Sequence, residues 1–246
     1  MQNFRPSFNA VPPVVKNLII INVIMLLATY VLNMRGIDLP SILGLHYIQS
    51  PEFRPYQIVT HMFMHGGFTH LLFNMFALWM FGRVLESVWG PKRFFIYYFV
   101  TGLGAAVLHT FVNFIEFQHL ASKMTPEAVQ MVISQGTEIF NQGKNFSDPL
   151  AGKLNLMLNI PTVGASGAVF GILLGFGMLF PNTQLMLLFP PIPIKAKYFV
   201  MGYGAIELYL GLTQSGSNIA HFAHLGGMLF GFFMIKYWNR NTNNFY

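Results

Sequence analysis

The stretch Val163-Gly-Ala-Ser-Gly-Ala-Val-Phe-Gly-Ile-Leu-Leu-Gly-Phe-Gly-Met-Leu-Phe180 places a lone serine between glycines at the head of an uncharged apolar run. Gly167, Gly171 and Gly175 recur every four residues, so a helix gathers them into one smooth stripe that another helix can approach closely. Ser166 stands at the edge of that stripe. The helix expected from Gly167 to Phe180 has 14 residues and rises only about 21 Å, against about 30 Å for a hydrocarbon core. With Pro181 at one membrane boundary, Ser166 lies about 10 Å below the opposite surface, and the non-helical Thr162-Val-Gly-Ala165 is submerged with it. Irregular backbone at that depth needs protein cover or a water-filled cavity. The stretch therefore asks for a wet pocket with Ser166 at its floor.

The rest of the composition agrees with a membrane setting. Of 246 residues, 54% are hydrophobic and 9% charged, and the mean hydropathy is +0.50, too little charge to cover a soluble globule of this length. The expected class is an all-α membrane protein, a bundle of six transmembrane helices forming one domain over residues 1–246. The net charge of +6 needs no nucleic-acid partner, because basic residues beside apolar spans orient a chain in a bilayer. The absence of cysteine excludes a disulfide framework, a thiolate metal site and a cysteine nucleophile. The start of the chain is polar and broken by proline before Lys16, and no removable signal peptide is expected there.

Working outward, the first span is expected from Asn17 to about Met34. A connection from Arg35 to about Phe68 follows, broken by Pro40, Pro51 and Pro55 yet apolar and aromatic, as suits a segment in the membrane interface. The second span runs from about Thr69 to Glu86 and the third from about Phe94 to Phe114. Residues 115–160 turn polar and read as an extramembrane insertion with a short helix near Pro126 to Phe140. After the short fourth span, Phe189 to Lys197 is too rich in proline to be helical. The fifth span is expected from about Tyr198 to Leu212 and the sixth from about Ile219 to Trp238. With both termini cytoplasmic (tails 1–16 and 239–246), nine of the fourteen basic residues fall on the cytoplasmic side, and the insertion faces out.

Polar residues inside the spans carry the chemistry. The sixth span opens Ile219-Ala-His-Phe-Ala-His-Leu-Gly-Gly-Met-Leu-Phe-Gly231, where Ala223, Gly227 and Gly231 make a second small-residue stripe with His224 beside it. Packing stripe on stripe carries Ser166 and His224 toward each other, as a nucleophile and its base. His70 and Asn74 lie one turn apart at the outer end of the second span, at the level of Ser166, and could hold a developing oxyanion together with the free N–H at the head of the short helix. No acidic third member is evident. Glu86 lies sixteen residues beyond His70, about 24 Å along the helix, and reads as a cap or crosslink at the cytoplasmic end. Glu207 is near mid-membrane with no motif tying it to His224, so a Ser–His dyad is the simpler reading.

Blander readings compete with each residue. A serine in Gly-x-Ser-Gly can be a small residue at a helix crossing, and His109 reads as packing. His61, His65 and His221 could ligate a metal, but no His-Glu-x-x-His or nearby carboxylate accompanies them. Neither metal nor cofactor is expected. Ionisable groups in a bilayer are costly and usually functional, and the packing readings do not explain Ser166, His224, His70 and Asn74 at one depth on three spans.

With these residues in place, the chain resembles the rhomboid family of intramembrane serine proteases. The resemblance rests on Gly164-Ala-Ser166-Gly167, on Ala223-His224 with Gly227 and Gly231, and on His70-x-x-x-Asn74, and it covers about Asn17 to Trp238. It implies Ser166 as nucleophile, His224 as general base, His70 and Asn74 as oxyanion support, and Phe170 as an aromatic packed under the catalytic histidine. Tyr56-Gln57 is similar to the family's first-loop region. The implied substrates are single-pass transmembrane proteins entering from the lipid bilayer between the second and fifth spans. The expected location is a bacterial inner membrane, with the active site opening to the extracytoplasmic side. Two other classes stay open at this point: a catalytically silent rhomboid-like binder of membrane helices, and a transporter whose intramembrane His and Asn line a path.

Overall fold

A computed structural model describes residues 11–186, 191–213 and 221–241. Each of the six segments expected to be helical is helical within those residues. The first, α1 (Pro13–Asn33), begins at a Pro12-Pro13 pair, which sets the backbone for a first helical turn. Its open N-terminus is closed from the second span: Glu86 accepts from Val14 N–H at 2.9 Å and from Val15 N–H at 2.8 Å. Glu86 is thus the expected crosslink, and the end it closes is that of α1.

The long connection carries two short helices, α2 (Leu39–Leu43) and α3 (Gln57–Thr60), followed by a turn of 3-10 helix at His61–Phe63. The second span is α4 (Phe68–Ala77) continued through a π-helical turn at Leu78–Gly82 into α5 (Arg83–Trp89). The third, α6 (Pro91–Ala121), has 31 residues and rises about 46 Å, so it runs past the expected end at Phe114 into the insertion. There α7 (Pro126–Asn141) and α8 (Pro149–Asn159) follow. Next come α9 (Ser166–Leu179), the strands β1 (Gln184–Met186) and β2 (Pro193–Lys195), α10 (Ala196–Thr213) and α11 (His221–Asn241). The expected start of the sixth span at Ile219 lies outside the described residues. Of the proline-rich segment, residues 189–190 lie outside the described residues, residues 191–195 are non-helical as expected, and Ala196 and Lys197 already belong to α10. The strands β1 and β2 pair as a small antiparallel hairpin with Leu185 opposite Ile194.

Among the described residues, Pro13–Asn33, Phe68–Trp89 and Pro91–Ala121 are long and apolar enough to cross a membrane, and Ser166–Leu179 is a shorter apolar helix. The surface is apolar along α1 (Ile20, Ile24, Leu27, Val31) and α10 (Met201, Ile206, Tyr209, Leu212), whereas Asn22, Glu86, Thr101, Glu207 and His221 are buried. Apolar residues outside and polar residues inside mark a protein whose surrounding solvent is lipid.

The centre of the bundle is α9 held between α6 and α11. The glycine stripe of α9 meets a second helix besides the one expected. A Cβ on Gly167 would lie 2.4 Å from the Ala105 Cβ, and one on Gly171 would lie 2.5 Å from the Thr101 Cβ. A Cβ on Gly175 would lie 3.0 Å from the Tyr97 hydroxyl. Those three partners step back along α6 four residues at a time, so the stripe is mainly the seat of the third span. The sixth span packs against α9 as well, with Gly227 abutting the Gly167 backbone, while Gly231 turns to Tyr97. Tyr97 sits fully buried where the three helices meet and donates to the Gly171 carbonyl at 2.8 Å.

The insertion is more built than a polar loop. Thr125 caps α7 and Asp148 caps α8, each accepting from a backbone N–H three residues on. Leu154 and Leu158 of α8, Val132 of α7, Phe117 and Leu120 of α6 and Tyr47 of the first connection form a second hydrophobic core. Gly136 leaves room for the Asn155 side chain, so the two inserted helices pack closely.

Candidate active site

Residues 162–165 enter the bundle as irregular chain, and the first connection satisfies their backbone. Leu45 and Thr162 exchange both backbone hydrogen bonds at 2.9 Å, and Gly164 N–H donates to the His61 carbonyl at 2.9 Å. Such pairing is what permits non-helical backbone at membrane depth. Gly164 has φ +131°, a conformation that side chains disfavour, and a Cβ there would lie 2.9 Å from the His70 ring. Glycine is required at 164 on both counts. The chain then turns into α9 with Ser166 as its first residue, so the Ser166 N–H has no partner within the helix.

His224 lies one turn into α11, and its Nε2 is 2.9 Å from Ser166 Oγ. Beneath it the Phe170 ring stacks at 4.1 Å between centroids with 4° between planes. Ser166, Phe170 and the abutting Gly167 and Gly227 therefore all bear on where this imidazole sits. Gly231 acts further down, by admitting Tyr97.

His70 and Asn74 come from α4 and line the same cavity as Ser166 and His224. His70 Nδ1 accepts from Gly66 N–H at 3.3 Å, which leaves the proton on Nε2, the nitrogen facing Gly164. Asn74 donates one amide hydrogen to the His70 carbonyl at 2.9 Å and keeps its second. Two neutral donors and a helix N-terminus thus line the cavity that holds Ser166. Behind His70, His65 makes an edge contact at 5.1 Å between centroids, and burial pushes it down to about 4, so that it stays neutral.

The expectation that no acidic residue partners His224 does not hold. Glu207 of α10 is buried, and its Oε2 accepts from His224 Nδ1 at 2.9 Å and from His221 Nδ1 at 2.7 Å. Helical spacing could not reveal this, because Glu207 and His224 lie on different helices and meet only through the rotation of α10. Among the described residues, Glu207, His221 and His224 are also the group whose ligand atoms converge within 4.8 Å. Those atoms are already hydrogen-bonded to one another. His61 sits apart from them, its Nδ1 donating to the Gln57 carbonyl at 2.9 Å.

His109, expected to be packing, has a defined polar setting. Its Nε2 accepts from the Thr162 hydroxyl at 2.7 Å and from the Asn113 amide at 3.1 Å, tying α6 to the entry of α9. Gln57 is fully buried and knots the first connection, donating to the carbonyls of Ile42 and Glu52 and accepting from the N–H groups of His46 and Arg54.

The cavity holds about 1040 Å³ and lies between α4 (Phe73, Ala77) and α10 (Phe199, Tyr203). The insertion also lines it, through Leu156, Met157 and a Lys153–Glu116 ion pair of 2.8 Å. A mostly apolar cleft with a few convergent polar groups is the form of a substrate site.

The model of the Rhomboid domain matches residues 52–240, which takes in His70, Asn74, Ser166, Glu207 and His224. Rhomboid protein 1, mitochondrial, of Saccharomyces cerevisiae is 27% identical over 174 residues, 71% of this chain and 39% of the relative. Rhomboid protease GluP of Bacillus subtilis is 26% identical over 178 residues, 72% of this chain and 25% of the relative. The human presenilin-associated rhomboid-like protein, mitochondrial, is 24% identical over 180 residues, 71% of this chain and 36% of the relative. The chain thus spans well under half the length of these three relatives. A domain match over most of the chain, an apolar exterior and a serine beside a histidine at the head of a short buried helix lead to one assignment: this integral membrane protein belongs to the rhomboid family.

Proposed function

We propose that the protein is an intramembrane serine endopeptidase. The observation that carries the reading is the 2.9 Å approach of His224 Nε2 to Ser166 Oγ inside a cavity between α4 and α10. The names of relatives such as Rhomboid protease GluP support the reaction class.

A single-pass membrane helix enters the cleft from the bilayer and presents an unwound peptide carbonyl to Ser166. The serine oxygen attacks, and its proton passes to His224 Nε2. Negative charge gathers on the former carbonyl oxygen, where His70, Asn74 and the head of α9 offer donors. The imidazolium returns the proton to the leaving amine, and an ester to Ser166 remains. Water then gives a proton to His224, attacks the ester and releases the second product with Ser166 restored. The apolar part of the cavity holds the substrate helix, and its polar end admits water.

The proposed topology is that of one domain with both termini cytoplasmic in a bacterial inner membrane, Ser166 opening outward, and the insertion on the outer side. The test is labelling by a serine-directed fluorophosphonate. Wild type should label and Ser166→Ala should not, with the same dependence for cleavage of a membrane substrate. Cleavage that survives in Ser166→Ala would refute the reading, and ion or solute flux without labelling would favour a transporter.

A further inference from the structure

A carboxylate in the middle of a membrane bundle is costly unless its partners are built for it. Glu207 has two such partners on α11, and both point the same ring nitrogen at the same oxygen. His221 Nδ1 lies 2.7 Å and His224 Nδ1 2.9 Å from Glu207 Oε2. A carboxylate oxygen can only accept, so each ring carries its proton on Nδ1. For His224 that choice has a chemical consequence at the far side of the ring. Nε2 is left with its lone pair, and Nε2 is the atom 2.9 Å from Ser166 Oγ. In the other tautomer Nε2–H would face the hydroxyl as a competing donor, and a lone pair would face the carboxylate at 2.9 Å.

We propose that Glu207 is a positioning residue that makes His224 a base, so that the site works as Ser166, His224 and Glu207. The inference rests on the reading of Ser166 as nucleophile. Glu207 holds the Nδ1–H tautomer and fixes the ring against Phe170 (4.1 Å between centroids). When Ser166 gives its proton to Nε2, the new positive charge lies beside a buried negative one, where the attraction is little screened. The Nδ1 proton stays on the ring throughout, and the proton taken from Ser166 goes on to the leaving amine. His221 is the second donor that keeps the carboxylate aimed. Gly211 supports the arrangement, because a Cβ there would lie 3.3 Å from the His221 Cβ and 3.2 Å from the Phe222 ring, so α10 can come close to α11.

Glu207→Gln tests the proposal in the full-length protein. Its amide keeps the shape but can donate to His224 Nδ1 and so favour the wrong tautomer. Fluorophosphonate labelling should slow by about 100-fold or more, within the range seen when a buried carboxylate behind a catalytic histidine is neutralised. Glu207→Asp should recover part of the rate, and His221→Phe should slow labelling less than Glu207→Gln does, because the carboxylate loses its second donor while its bond to His224 survives. A structural role would not move the second readout, the ¹⁵N NMR of labelled histidine: wild-type His224 should show the Nδ1–H form, and Glu207→Gln should lose it. An Nε2–H form in unmodified wild type would overturn the proposal with no variant needed. Wild-type labelling rates in Glu207→Gln would overturn it as well, while dispensability of Ser166 would instead refute the protease reading itself.

Discussion

Gly227 of α11 abuts the backbone of Gly167 of α9 so closely that a Cβ on Gly227 would lie 1.8 Å from the Gly167 carbonyl oxygen. The two glycines hold the helices bearing His224 and Ser166 at backbone contact. His224, three residues before Gly227, and Ser166, one before Gly167, inherit that spacing.

Gly227→Ala should therefore separate the helices and lengthen the 2.9 Å gap between Ser166 and His224. Overpacking of a tight contact costs about 1–3 kcal/mol, so thermal unfolding in detergent should shift downward. Fluorophosphonate labelling should fall at temperatures where the fold is intact. A variant that is less stable but labels at the wild-type rate would show that the contact serves folding alone.

The oxyanion assignment is separable from the nucleophile. Loss of one preorganised donor costs about 100- to 1,000-fold in rate, so Asn74→Ala should retain measurable cleavage where Ser166→Ala has none. His70→Ala should fall in the same range. If Asn74→Ala is as inactive as Ser166→Ala, its bond to the His70 carbonyl (2.9 Å) is what matters, and Asn74 is structural.

Glu86 offers the opposite outcome. Its carboxylate accepts from Val14 and Val15 N–H groups at 2.9 and 2.8 Å, and hydrogen bonds to a charged group contribute about 1.5–3 kcal/mol. Glu86→Ala should lower the unfolding temperature by loosening α1. Labelling of Ser166 at low temperature should be unchanged, since Glu86 belongs to the opposite end of the bundle. Slowed labelling at low temperature would count against a purely structural role.

Acid should loosen the first connection. Burial holds both His61 and His65 at about 4, below the ordinary 6.5 of histidine. A folded value below the unfolded one means the unfolded chain binds more protons in between. The stability tied to these neutral rings is complete above 6.5 and is lost as the pH falls from there toward 4. The unfolding temperature should drop over that interval, and His65→Phe, which removes one titrating ring, should reduce the drop. An equal drop in the variant would place the acid sensitivity elsewhere.

Much of the site was legible before the fold. Ser166, His224, His70 and Asn74 stood out because polar groups in apolar helices are costly and therefore few, and each lies in a local pattern of glycines or turn-spaced neighbours. The length of α9 was readable for the same reason, since it is a matter of residues per bilayer. Glu207 was equally conspicuous as an intramembrane carboxylate. Its partner was not, because nothing on α10 records which way that helix is rotated against α11.

The insertion divides in the same way. The helix Pro126–Asn141 follows from Thr125, Pro126 and an amphipathic run. The second helix, Pro149–Asn159, mixes leucine with glycine, lysine and asparagine and draws its stability from a core shared with Tyr47 and Phe117. A helix held by tertiary packing rather than by its own pattern leaves little trace in its own residues.

The sequence by itself determined the membrane class, the short length of α9 and the residues able to carry the chemistry, because transfer into lipid is a property of each segment alone. Only the tertiary structure decided which helix fills the glycine stripe and which carboxylate stands behind His224. Small residues license a close approach without naming the partner. Both choices depend on the rotation and crossing of helices far apart in the chain, which are settled by packing the whole bundle at once.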